Sequence, residues 1–149
     1  MAKFYAAYGS NLNRAQMSMR CPDAKVVGTA VISDYELLFK GSGSGNYLTV
    51  EPQKGAMVPV GIWIITGKDE KALDRYEGCP SFYYKTSMML DVKKEDGVCE
   101  QLDCLIYIMH EHRKLGRPSA SYMQTCLEGY ISFGFDVRLL DEAREKSSL

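Results

Sequence analysis

Seven short runs rich in β-branched and aromatic residues dominate the sequence: Lys3–Tyr8, Val26–Ile32, Tyr35–Lys40, Tyr47–Glu51, Val58–Thr66, Phe82–Lys93 and Glu100–Met109. Turn residues separate most of them, and Ser33-Asp34 reads as a tight hairpin between the second and third. Val60, Ile62 and Ile64 alternate with Gly61, Trp63 and Ile65, so neither face of that run is polar and the strand is expected to be central. So many short strands leave edges that few helices can cover, and strong coiling or closure of the sheet removes those edges. The expectation is an α+β protein over residues 1–149: a single compact domain with a small, mostly antiparallel, β-barrel-like sheet flanked by helices.

Helical signals are sparse. Ser10 or Asn11 is placed to cap a helix through Arg20, which Pro22 forbids from continuing. Lys68–Glu77 sets Ala72, Leu73 and Tyr76 on one side, with Gly78 positioned to end the helix. Ser119 or Ser121 opens a helix to about Ile131, and Asp136 caps a last one through Lys146. The charged run Asp141–Lys146 reads as a solvated helix face.

Charge and cysteine content narrow the function. Eighteen Lys+Arg against nineteen Asp+Glu leave a net charge of −1, without the basic excess that marks a nucleic-acid partner. Apolar runs such as Val60–Ile65 fall far short of the ~20 residues of a membrane helix, so no membrane partner is expected. Met1–Tyr8 lacks a basic leader followed by ~7–15 apolar residues, which points to the cytoplasm. Cys21, Cys79, Cys99, Cys104 and Cys126 form an odd set with no C-x-x-C pair, the pattern of buried thiols in a reducing compartment.

Several apparent motifs fail on their chemistry. Gly61…Gly67-Lys68 has five intervening residues where a P-loop has four, and Asp69 stands in place of Ser/Thr. Gly41–Asn46 is followed by no helix signal, so it reads as a mobile hairpin loop and not a phosphate cradle. His110 and His112 would share a strand face but lack a third ligand; no metal or other cofactor is expected. Ser10 has neither a G-x-S-x-G elbow nor a visible base, and Cys79 reads as a packed thiol.

Two segments carry chemistry. Tyr8-Gly9-Ser10-Asn11-Leu12 lies at the exit of the first strand and the entrance of a helix. Such a junction aims unpaired backbone N–H groups at one point, an anion or oxyanion site, although the same residues also build ordinary turns. The second segment is Leu73–Pro80, where Glu77 stands in the last helical turn before Gly78-Cys79-Pro80. A carboxylate there opposes the helix dipole by typically ~0.3–1 kcal/mol. Aromatic and apolar neighbours Tyr76, Cys79, Phe82, Tyr83 and Tyr84 add partial burial, so the pKa of Glu77 is expected to lie above ~4.3, in the range of a proton carrier. A solvated Glu at a frayed helix end has the same local sequence.

Together the segments resemble the γ-glutamylcyclotransferase-like (AIG2-like) family, through the Tyr8-Gly9-Ser10-Asn11-Leu12 turn and the downstream Leu73-Asp74-Arg75-Tyr76-Glu77-Gly78. The likeness continues in order through Pro80–Lys85, Leu105–Met109 and Arg117–Tyr122. It implies a compact barrel-like fold in which the turn and Glu77 meet in one pocket. The implied reaction cyclises a γ-glutamyl amide or amine-linked substrate to 5-oxoproline with release of an amine or amino acid, using no cofactor. Glu77 would be the catalytic acid/base. Tyr8, Gly9, Ser10, Asn11, Leu12, Tyr84 and Tyr122 would bind substrate; by their residue type Tyr8, Tyr84, Tyr107 and Tyr122 suit a pocket wall with hydroxyls inward, and equally buried tyrosines satisfied by backbone. The partner is then a small γ-glutamyl molecule; a homodimer is compatible with this reading, and the alternative is a non-catalytic module binding a small anionic metabolite on the same scaffold.

Overall fold

A computed structural model describes residues 2–148. The chain forms, in order, strand β1 (Lys3–Ala7), a 3-10 turn at Ser10–Leu12, helix α1 (Arg14–Arg20), strands β2 (Lys25–Ser42) and β3 (Gly45–Ile65), helix α2 (Gly67–Glu77), strands β4 (Tyr83–Lys94), β5 (Cys99–Met109) and β6 (Lys114–Leu115), and helices α3 (Ala120–Phe133) and α4 (Arg138–Lys146). The sheet runs β3-β1-β5-β4-β2, and a β2–β3 pairing closes it into a five-stranded barrel; β6 adds to the far end of β2. All neighbours are antiparallel except β1 with β5. Closure removes the edges that this strand-rich, helix-poor sequence could not otherwise cover.

The core is filled by buried strand residues, including Phe39, Leu48, Val50, Val60, Ile62, Ile106 and Met109. β3 pairs with β1 on one side and β2 on the other, as its apolar alternation requires. The Ser33-Asp34 hairpin is corrected. β2 runs straight through it as one strand of an eighteen-residue ribbon with β3, turning only at Gly43-Ser44. Asp34 instead forms a bulge in the left-handed region (φ 61°), and its Oδ1 accepts the Gly55 N–H at 2.9 Å. An Asp tolerates that conformation, so turn chemistry served a bend and not a reversal.

The helices sit where the sequence sets them, with changed caps. Asn13, and not Ser10 or Asn11, caps α1 by accepting Gln16 N–H at 3.1 Å, because the 3-10 turn intervenes. α2 opens with a reciprocal capping box: Thr66 Oγ1 accepts Asp69 N–H, and Asp69 Oδ2 accepts Thr66 N–H. It ends at Gly78 with φ 64°, a conformation Gly adopts without a Cβ penalty. Ser119 caps α3, and Asp136 Oδ1 accepts Arg138 N–H at the start of α4. Of the five cysteines, Cys21, Cys104 and Cys126 are buried, Cys79 is half-buried and Cys99 is exposed, so the expectation of buried thiols holds for three. Among the described residues no helix is long and apolar enough to cross a membrane.

Candidate active site

β1 ends at Ala7, and its exit delivers Tyr8–Asn11 to the rim of a cavity of about 210 Å³. The 3-10 turn consumes two N–H groups of this segment: Leu12 donates to Gly9 O and Asn13 to Ser10 O, both at 3.0 Å. Among the described residues the N–H groups of Gly9, Ser10 and Asn11 have no protein acceptor. Three adjacent unpaired donors bordering one cavity are what an anion or oxyanion needs.

The opposite side is set by the end of α2. Its Gly78 stop fixes the last helical residue, Glu77, which lines the same cavity. Glu77 is half-buried, and Asn11 Nδ2 lies 3.5 Å from its Oε1, the long limit of a hydrogen bond. Burial pushes the Glu77 pKa up to about 8, against a lowering by the Arg20 charge. The cations of this end of the barrel are engaged elsewhere: Lys85 pairs with Glu70 at 2.8 Å and with Asp74 at 3.1 Å. Among the described residues Glu77 forms no ion pair.

Aromatic rings make up most of the remaining wall. Tyr5 and Tyr8 come from β1 and its exit, Tyr47 from β3 and Tyr76 from α2. Phe82 and Tyr83 enter at the start of β4, Tyr107 from β5 and Tyr122 from α3. The hydroxyls of Tyr8, Tyr83, Tyr122, Tyr76 and Tyr107 are tied down. Tyr8 donates to Tyr107 O at 2.6 Å, Tyr83 to Leu48 O at 2.7 Å, and Tyr122 Oη accepts Leu48 N–H at 3.1 Å. Ser10 Oγ and Tyr76 Oη share a 2.9 Å bond, and Tyr107 donates to Asp74 Oδ1 at 2.6 Å. Burial holds the phenols of Tyr5, Tyr8, Tyr83 and Tyr122 well above their usual pKa, so the wall is neutral.

The structure thus brings Tyr8, Gly9, Ser10, Asn11, Glu77 and Tyr122 to one cavity, and separates two residues from it. Leu12 is fully buried in the core with its N–H spent on Gly9, so it does not face substrate. Tyr84 also lies outside the cavity: strand alternation turns Tyr83 toward it and Tyr84 to the opposite face of β4, where its hydroxyl donates to Glu111 Oε2 at 2.5 Å. Of the histidines, His110 Nε2 lies 2.7 Å from Pro80 O, and among the described residues no three His, Cys, Asp or Glu side chains form a metal cluster.

The family model described as "Gamma-glutamyl cyclotransferase, AIG2-like" matches residues 5–124, a span that includes both the Gly9–Asn11 turn and Glu77. The chain belongs to this family. It is 26% identical over 132 residues to the human protein named gamma-glutamylcyclotransferase, covering 84% of this chain and 68% of that one. A solved structure titled gamma-glutamyl cyclotransferase superposes with a TM-score of 0.79 at 24% identity, covering 99% of this chain and 87% of its own. The human protein loc79017 gives a TM-score of 0.76 at 25% identity, over 99% and 86% of the two chains. The closed barrel with four helices is therefore the γ-glutamyl cyclotransferase fold.

Sequence reasoning missed Tyr5, Tyr47, Leu48 and Arg20 at this AIG2-like site. Tyr5 reaches it from β1, where its hydroxyl accepts from Asn11 Nδ2 at 2.9 Å. Arg20 reaches it from the last turn of α1. Its guanidinium stacks 3.5 Å above the Tyr76 ring and donates to Asn11 Oδ1 through Nη1 and to Gln16 Oε1 through Nη2 at 2.7 Å. Spacing was the available signal for one of these contacts: Gln16 and Arg20 are four residues apart on one helical face.

Proposed function

We propose that this protein is a γ-glutamyl cyclotransferase-type enzyme that converts a γ-glutamyl amide or amine-linked substrate to 5-oxoproline and a free amine or amino acid. The observation that carries this reading is the juxtaposition of unpaired Gly9–Asn11 N–H groups with a partly desolvated Glu77 carboxyl in one small aromatic cavity.

Glu77 in its carboxylate form takes a proton from the substrate α-ammonium. The freed α-amine attacks the γ-carbonyl carbon, forming the ring C–N bond and placing negative charge on the carbonyl oxygen. Gly9–Asn11 N–H groups are suited to that oxyanion or to the substrate α-carboxylate. Collapse of the tetrahedral species breaks the bond to the leaving nitrogen, which receives the proton held on Glu77, while the ring nitrogen gives up its second proton, so that the products are the lactam and a protonated amine. A carboxyl with a pKa of about 8 is matched to both proton transfers near neutral pH. Because nucleophile and electrophile are in one molecule, holding the substrate folded supplies much of the rate; effective molarities for such reactions reach ~10⁵–10⁸ M. The aromatic wall fixes the fold of the substrate and limits water at the reacting carbon.

Incubation with a panel of γ-glutamyl amines, amino acids and isopeptides, with assay for 5-oxoproline, tests the reading. The expected product is 5-oxoproline, formed by wild type and not by Glu77→Gln. Linear glutamate as product would replace cyclisation with hydrolysis. Ligand-induced stabilisation without product across the panel would make the protein a binder of small anionic metabolites.

A further inference from the structure

We infer that Arg20 is a positioning residue: it fixes the Asn11 carboxamide with Nδ2 turned toward Glu77, and it provides the positive charge that favours the ionised Glu77 carboxylate. The inference rests on Glu77 being the proton carrier of the site.

The orientation follows from donor chemistry. A guanidinium has five N–H donors and no acceptor, so the Asn11 atom that meets Arg20 Nη1 must be Oδ1. The carboxamide is planar, so fixing Oδ1 there directs Nδ2 to the opposite side, where Tyr5 Oη accepts at 2.9 Å and Glu77 Oε1 lies at 3.5 Å. Were the amide turned over, Oδ1 would face Glu77, and the ionised carboxylate that must accept the substrate proton would then meet a second acceptor with no proton between them. Asn11 is only 2% exposed, so no bulk water is available to relieve that repulsion.

Arg20 is itself held on three sides. Gln16 Oε1 takes its Nη2, Asn11 Oδ1 takes Nη1, and the Tyr76 ring lies 3.5 Å beneath its Cζ. Tyr76 is in turn bonded to Ser10 Oγ, so one guanidinium links α1, the end of α2 and the turn that carries the unpaired N–H groups. Lysine could supply the charge but neither the planar stack nor the paired donors.

The Arg20 charge bears on the Glu77 carboxyl, and also on the neutral Tyr5, Cys21 and Tyr76. Tyr5 and Tyr8 from β1 and its exit, Tyr76 from α2, and Cys79 just beyond it all sense the Glu77 carboxylate. Tyr83 from β4, Tyr107 from β5 and Tyr122 from α3 do likewise. These are neutral groups at physiological pH, with burial pushing their pKa values up. Burial alone drives Glu77 toward its protonated form, and Arg20 opposes it.

The test is a direct titration of the Glu77 carboxyl by ¹³C NMR in side-chain-labelled protein, which needs no substrate. Arg20→Met and Arg20→Gln remove the charge, and Gln stands in if Met does not fold. Arg20→Lys keeps it. The expected midpoint in the uncharged variants is higher than wild type, since an opposite charge favours the ionised carboxylate. The Lys variant keeps the charge but not the planar stack or the paired donors, so its midpoint rises less than in the uncharged variants while kcat falls several-fold. Unchanged midpoints in both uncharged variants, or an equal rise in Arg20→Lys, overturn the inference. A wild-type midpoint at the ordinary carboxylate value would instead overturn the assignment of Glu77 as proton carrier, a distinct outcome.

Discussion

Asn11 Nδ2 stands 3.5 Å from Glu77 Oε1 although 66 residues separate the two in the chain. The contact joins the exit of β1 to the end of α2, elements that enter the cavity from different parts of the barrel. It also mixes one donor of a neutral amide with a carboxyl whose ionisation burial disfavours. A structural role would call for a full ion pair at that position; a proton carrier needs a partner weak enough to let the proton come and go.

Glu77→Gln separates these roles. Loss of a general acid/base lowers turnover by ~10²–10⁴-fold. Stability moves the other way. The carboxyl pKa is raised on folding from an ordinary 4.5 to about 8, so Glu77 weakens the fold as pH rises from about 4.5, with the full effect reached above about 8. Gln removes that effect, and on the order of 2 kcal/mol of stability is expected to return at pH 7 after allowing for partial exposure. At ~2–4 °C per kcal/mol for a chain of this size, the melting temperature rises by several degrees at pH 7 and is unchanged near pH 4. A lower Tm for Glu77→Gln at pH 7 would show a paired structural anion.

The same ionisation shapes the pH dependence of catalysis. If Glu77 acts as a base, kcat/KM depends on its ionised fraction in the free protein. It is expected to rise about tenfold per pH unit below neutrality and to level off above about 8. Initial rates from pH 5.5 to 9.5, with substrate ammonium titration measured separately, check this. A plateau already reached at pH 6 contradicts it.

How much of this was legible in the sequence depends on whether a residue's role is local. The Gly78 stop, the Glu77 position and the Gly9–Asn11 turn follow from near-neighbour chemistry, and the structure places them as read. Ser33-Asp34 misled because a bulge and a hairpin draw on the same residues, and only the partner strand decides between them. Leu12 misled because the 3-10 turn takes its N–H. Arg20 was invisible because its role exists only once α1 crosses Tyr76 of α2.

Strand phase gives a paired prediction for Tyr83 and Tyr84. Tyr83 is 5% exposed, lines the cavity and donates to Leu48 O; Tyr84 bonds Glu111 on the opposite face of β4. Tyr83→Phe strands a buried carbonyl and is expected to lower stability by ~1–2 kcal/mol. Tyr84→Phe should stay within ~0.5 kcal/mol of wild type and leave KM unchanged. Chemical denaturation with steady-state kinetics distinguishes them, and a KM change confined to Tyr84→Phe would reverse the assignment of the two faces.

Gly129 offers a test of how the turn is held against α3. In an exposed helix interior, replacing Gly by Ala stabilises by ~0.8–1 kcal/mol. Here a Cβ would lie 2.7 Å from Leu12 C and 2.8 Å from Asn13 N, backbone atoms that cannot swing aside as a side chain does. Asn13 is further tied to α3 through Nδ2, at 3.1 Å from both Thr125 O and Glu128 Oε1. Relief must therefore come from moving α3 or the Ser10–Leu12 turn as a unit. Overpacking typically costs ~1–3 kcal/mol, which exceeds the propensity gain over most of that range. Gly129→Ala is expected to lower Tm by a few degrees, and to reduce kcat/KM more than a remote mutation of equal destabilisation, because the displaced backbone carries the Gly9–Asn11 donors. Melting curves and kinetics on the same preparation decide it. A variant that melts at or above wild type with full activity would mean that α3 has slack at this crossing and does not set the position of the turn.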